Sequence, residues 1–157
     1  MSEQQQASFN IEKIYVKDLS LEIPNAPQVF LQAETPALDV KVHNEAQQFG
    51  ETLYEVTVTV TVTAMAGDKT LFLAEAAQAG IFTVAGVSAE ELDPLLGIGC
   101  PTILYPYVRE VISDLVTRGG FPPVLLSPVS FEALYLQRQQ AAQQGNGADG
   151  PKIEIAS

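Results

Sequence analysis

Tyr54–Val84 reads YEVTVTVTVTAMAGDKTLFLAEAAQAGIFTV. Tyr54, Val56, Val58, Val60 and Val62 alternate with Glu55, Thr57, Thr59, Thr61 and Thr63. A period of two places the two sets on opposite faces of a strand, and β-branched residues suit the pleat. Ala66-Gly67-Asp68 is turn material, and Thr70–Val84 returns as a second strand. The pair predicts a long antiparallel hairpin. Which face is buried is left open by the pattern.

Working outward, Phe9–Glu22 is rich in Ile, Tyr, Val and Leu and reads as a first strand. Pro24 and Pro27 end it, since proline cannot donate to a ladder. Leu38, Val40 and Val42 alternate with Asp39, Lys41 and His43, which predicts a half-buried second strand. Downstream, the period changes. Ile103, Leu104, Tyr107, Val108, Val111, Ile112, Leu115 and Val116 recur at helical spacing. Pro106 is then expected in the first turn of that helix, where a missing N–H costs little. Gly119-Gly120 closes the helix and Pro122-Pro123 prevents its continuation. Ser130 is the expected N-cap of a second helix, with Glu132 in its first turn and Phe131, Leu134 and Tyr135 on its apolar edge. Four strands followed by two helices, without βαβ alternation, predict an α+β fold with a four-stranded antiparallel sheet.

The 157 residues fit one domain, and 46% hydrophobic content supports a packed core. Residues 1–8 and 143–157 read as flexible tails and 9–142 as the folded domain. Lys152–Ile155 can extend, but nothing in the sequence gives it a packing partner. The polar start MSEQQQASFN has no signal-peptide pattern, and no apolar run reaches membrane-spanning length. One cysteine, Cys100, excludes an intrachain disulfide and fits a reducing compartment. The chain reads as soluble and cytoplasmic. Its net charge of −11 argues against nucleic acid and anionic membranes as partners. It favours a basic protein partner, although acidity equally serves solubility alone.

Catalytic and metal patterns are weak. His43 is the only histidine, and it sits on an alternating strand beside Asn44. Cys100 lies between Gly99 and Pro101 at a helix start. A surface imidazole and a buried structural thiol explain both better than a dyad. Glu90-Glu91…Asp93 lacks a phased ligand set and reads as a solvated turn or helix start. Gly80, Gly86, Gly97 and Gly99 are followed by no GK[ST] and serve turns and close packing. No enzyme, metal or cofactor is expected.

Gly80–Tyr135 is dense in shape-fixing residues. They include Gly80-Ile81-Phe82, Ala85-Gly86, Cys100-Pro101, Ile103-Leu104, Pro106-Tyr107, Arg109-Glu110, Arg118-Gly119, Phe121-Pro122, Pro128-Val129 and Phe131–Leu134. Over these positions, and upstream through Ile14–Pro27, the chain resembles the SecB family of proteobacterial export chaperones. The resemblance covers most of the chain and fades after Tyr135. It implies an ATP-independent cytoplasmic holdase that binds unfolded precursor chains and delivers them to the SecA motor. It also implies a homotetramer packed as a dimer of dimers, with the first helix and the outer sheet making subunit contacts.

Two sets of site residues follow from the same resemblance. Asp18, Glu22, Leu73 and Glu75 match the family's docking surface for the zinc-containing tail of SecA. By strand alternation alone, Asp18 and Glu22 share a face, as do Leu73 and Glu75. If the two strands are neighbours, an acidic patch with an apolar centre results; an ordinary solvated sheet face is the plainer reading. Tyr15, Val40, Val42, Phe72 and Tyr135 match positions of the family's groove for unfolded clients. Each would serve equally as core in an ordinary domain. The chain departs from some members in having Glu34 where they carry a tryptophan. A chaperone dedicated to an antitoxin, or a small-ligand-binding domain, are the rival readings.

Overall fold

The computed structural model describes residues 6–144 and 153–154. Four long strands form one antiparallel sheet: β1 (Ser8–Glu22), β2 (Ala37–Gln48), β3 (Leu53–Ala66) and β4 (Lys69–Ala85). Their spatial order is β1-β4-β3-β2. The β3–β4 hairpin turns through Gly67-Asp68, and Gly67 takes φ +61°, a conformation that favours glycine. Register runs from Leu53 opposite Thr83 to Ala66 opposite Lys69, with one irregularity between Ala64 and Met65.

The sheet has two unlike faces. Val56, Val58, Val60 and Val62 are fully buried, and Phe72, Ala74, Ala76 and Phe82 of β4 join them. This valine face lies under the helices. The threonine face stays mostly half-buried, with Thr59, Thr61 and Thr63 retaining partial exposure. The ambiguity that alternation left is resolved in favour of valine inside.

The helical half begins earlier than the apolar spacing suggests. Ser88 caps α1 (Ala89–Pro94) by accepting from the Glu91 amide, and the Glu91 carboxylate accepts from the Ser88 amide in return. This capping box fixes the acidic segment as a helix start. The chain then continues through a π-helical turn, Leu95–Gly99, directly into α2 (Cys100–Arg118). Pro101 occupies the first turn of α2, so Pro106 lies inside the helix rather than in its first turn. That corrects the expectation: the helix starts before the point where its apolar stripe becomes visible.

The stripe itself splits into two rows. Cys100, Leu104, Val108, Ile112 and Val116 are fully buried against the sheet. Ile103, Val111 and Leu115 are partly buried, and Tyr107 is 49% exposed. The C-terminus of α2 closes as expected. The Gly120 amide donates to Thr117 O and the Phe121 amide to Val116 O, with Gly120 at φ +89°. This pattern is a Schellman motif. Ser130 caps α3 (Phe131–Gln143) by accepting from the Ala133 amide at 3.2 Å.

One feature is absent from the sequence reading. Ile153–Glu154 forms a two-residue strand, β5, antiparallel to β2 at Lys41 and Val42. The extended stretch therefore has a pairing partner. Residues 1–5, 145–152 and 155–157 of the expected tails lie outside the described residues.

Candidate functional site

The threonine face carries the acidic set. Strand β1 pairs with β4, with Asp18 opposite Ala77, Ser20 opposite Glu75 and Glu22 opposite Leu73. Directly opposed residues point to the same face. An irregularity between Val16 and Asp18 sets this phase. Asp18 and Glu22 are exposed, and Leu73 and Glu75 are half-buried. Glu75 Oε2 accepts from Thr61 Oγ1 at 2.9 Å, which ties it to β3. The structure thus brings Asp18, Glu22, Leu73 and Glu75 together as an apolar centre with three carboxylates around it.

Farther along the same face, Tyr15 donates to Glu55 and Lys17 Nζ pairs with Glu55 Oε1 at 2.6 Å. The Lys17 and Tyr15 hydrogen bonds hold the Glu55 carboxyl below its ordinary range. Burial, followed by the bond to Glu55, pushes the Tyr15 phenol up to about 12. The charge of Lys17 is therefore engaged by Glu55.

The expected groove residues do not share one surface. Val40 and Val42 lie on the helix side of β2 and are buried. Phe72 is also buried there, with its ring 4.8 Å from that of Phe121. Phe121 in turn stacks at 5.2 Å on Phe30, which is 47% exposed. Tyr135 stands on α3 at the rim of a cleft of about 420 Å³, lined also by Asn44, Asp93, Leu96 and Arg138. Its hydroxyl donates to Asp93 Oδ2 at 2.6 Å. That bond raises the Tyr135 pKa. Tyr135 packs so tightly on Gly97 that a Cβ there would come within 2.8 Å of its ring. Tyr15, by contrast, lies on the threonine face with Glu55.

Arg138 and Asn44 escaped the sequence reading. Arg138 donates to Asn44 across the cleft, and burial lowers its pKa. A lone cation in the polar run Gln137–Gln140 was the available signal.

His43 is exposed on the threonine side of β2, whereas Cys100 is buried beneath the opposite face. Burial pushes the Cys100 thiol up to about 12, which makes it a poor nucleophile. The two cannot form a dyad. Among the described residues, no group of three or more His, Cys, Asp or Glu could hold a metal ion.

A family model described as preprotein translocase subunit SecB matches residues 2–142. The chain belongs to the SecB family. The protein-export protein SecB of Methylobacillus flagellatus is 57% identical over 147 residues, covering 94% of each chain. That of Chromobacterium violaceum is 58% identical over 149 residues, covering 93% of this chain and 99% of the relative. Among solved structures, a SecB-like chaperone of Mycobacterium tuberculosis, in complex with an antitoxin peptide, superposes with a TM-score of 0.64. It is 20% identical, with 77% of this chain and 90% of that one covered, and so attests the fold. SecB is a chaperone family, and the reading of the chain as no enzyme rests on this membership. No helix among the described residues is long and apolar enough to cross a membrane.

Proposed function

We propose that this chain is an ATP-independent cytoplasmic holdase that binds unfolded precursor proteins and delivers them to SecA for export. The observation that carries the reading is near-full-length similarity to protein-export SecB proteins at more than half identity. The surfaces fit the task. Burying apolar segments of a non-native chain stabilises the unfolded side of its folding equilibrium by mass action. Phe30, Leu31, Leu125 and Leu136 are exposed apolar side chains on the helix and loop side. Contacts of this kind are non-directional, which suits clients of varied sequence.

Delivery is assigned to the threonine face. Asp18, Glu22 and Glu75 around Leu73 supply charge for steering and a small apolar contact for the SecA tail. Client contact is assigned to Tyr15, Val40, Val42, Phe72 and Tyr135. The burial of Val40, Val42 and Phe72 means that a client reaches them only where the neighbouring loop and helix give way.

Assembly as a homotetramer, a dimer of dimers, belongs to the same proposal. On α2, Tyr107 extends a partly covered row with Ile103, Val111 and Leu115. On the free edge strand β1, Phe9, Ile11, Val16 and Leu19 are exposed on the helix side. Uncovered apolar surface on this scale supports a partner subunit.

Size-exclusion chromatography with light scattering tests the reading. Four chains of 16.9 kDa give about 68 kDa. The expected result is that mass alone, and co-elution with a reduced, unfolded precursor but not with its folded form. A monomer that ignores unfolded chains overturns the proposal. A version dedicated to an antitoxin would bind that partner while SecA binding stayed weak.

A further inference from the structure

Of the four long strands, β2 is the edge on the side away from β1. Its register with β3 is unbroken from Ala37 opposite Met65 to Gln48 opposite Tyr54, and it contains no proline. The β1 edge, by contrast, is interrupted twice, after Ile11 and after Val16. A long, regular edge presents a row of unpaired N–H and C=O groups that another extended segment can use. One segment of this chain uses it. Ile153–Glu154 pairs antiparallel with Val42 and Lys41, so that the sheet order becomes β1-β4-β3-β2-β5. The sequence there, Lys152-Ile153-Glu154-Ile155, alternates charged and apolar residues in the manner of a strand. The end of α3 lies beside the same edge strand, because Ala142 shares a cleft with Asn44 and Ala46 of β2. The connection from Gln144 to Ile153 spans up to about 30 Å when extended, which is ample reach.

We propose that Ile153–Glu154 is an autoinhibitory strand: it occupies the outer edge of β2 in the free chain and is displaced when an extended segment of an unfolded client pairs there. The paired positions motivate this. Val42 is opposite Ile153, and Val42 and its near neighbour Val40 are assigned to client contact. A client backbone added to this edge hydrogen-bonds to the same row of groups as the tail does, so the two occupants exclude each other. Two residue pairs make a weak strand, too short to hold by itself. Tethering offsets the weakness, because a short connection holds the segment at an effective concentration on the order of millimolar. The cap is therefore strong enough to cover the edge against pairing with other chains and weak enough to yield to a longer strand. A client segment gains over the tail by pairing along more of Ala37–Gln48 than the two positions that the tail engages. The client as competitor rests on the chaperone reading; the covering of the edge by the tail does not.

The test compares the full chain with its Ile153→Pro/Glu154→Pro variant, both labelled with 15N. Proline removes the two backbone donors of the segment and leaves the rest of the chain unchanged. The substitutions are expected to shift the amides of Lys41 and Val42 and to speed hydrogen exchange at whichever of the two points away from β3. The probe is the free peptide Gly-Pro-Lys-Ile-Glu-Ile-Ala-Ser, the chain's own last residues from Gly150. It is expected to bind the variant about two- to tenfold more tightly than the native chain, the range for an edge covered half to nine-tenths of the time. Its shifts should fall on β2. Identical Lys41 and Val42 amides in the two chains, equal peptide affinity, or peptide shifts away from β2 would each overturn the proposal. A second arm titrates both chains with a reduced, unfolded precursor, which is expected to bind the variant more tightly by a similar factor. Equal precursor affinity for the two chains would overturn the competition. If the tail peptide discriminates between the chains while the precursor binds neither, the chaperone reading fails and the covering of the edge by the tail stands.

Discussion

Reversing charge at Asp18, Glu22 and Glu75 together is expected to weaken binding to SecA roughly a hundredfold, with capture of unfolded chains unchanged. Each exposed charge contact contributes about 1 kcal/mol at most, and reversal replaces attraction with repulsion. Three such changes exceed the ~2.8 kcal/mol that corresponds to a hundredfold. Asp18 and Glu22 are exposed, so their reversal leaves the core intact. Glu75 gives up one hydrogen bond, from Thr61, which is a modest loss. Leu73, opposite Glu22, keeps its apolar contact, so residual affinity should persist and depend little on salt. Calorimetric titration of the triple variant with SecA, at two salt concentrations, reads the effect. Unchanged affinity would remove the threonine face from the delivery step.

Leu104→Ala is expected to cost about 2–5 kcal/mol of stability, the range for a leucine deleted from a close-packed core. Leu104 is fully buried in the inner row of α2. Across from it lies Gly80, where an added Cβ would approach Leu104 Cδ2 to 3.1 Å and the Phe82 ring to 2.8 Å. Glycine at that point lets helix and sheet approach closely. Gly80 itself has no side chain that could swing in to fill the vacancy. Urea unfolding at one fixed protomer concentration should show a lower midpoint with little change in slope. Glu110→Ala, on the exposed side of the same helix, should change stability by about 0.5 kcal/mol or less. Equal effects from the two substitutions would contradict the packing of α2 on the valine face.

The sheet was legible because alternation is a direct consequence of strand geometry. Val56–Val62 could belong to nothing else, and Ser130, Gly119 and Gly120 marked helix ends through their own chemistry. The start of the helical run was not legible. Leu95–Gly99 contains two glycines and no period, and its Gly97 lies close under the ring of Tyr135, which is far away in sequence. The acidic set was legible as two pairs, one per strand; only the β1–β4 register, with its irregularity before Asp18, joins them. The groove set was least legible. Alternation puts Val40 and Val42 on one face but says nothing of what covers them, and the irregularities in β1 decide which side Tyr15 takes.

The central claim is that the chain holds unfolded precursors without nucleotide. Its most direct measurement is the refolding rate of a denatured precursor, followed by intrinsic tryptophan fluorescence of the client after dilution. This chain contributes no tryptophan signal of its own. With the chain in excess and no ATP, refolding is expected to slow in proportion to chain concentration, and competition by a second unfolded protein should restore it. Refolding at the uncatalysed rate at every chain concentration would contradict the account.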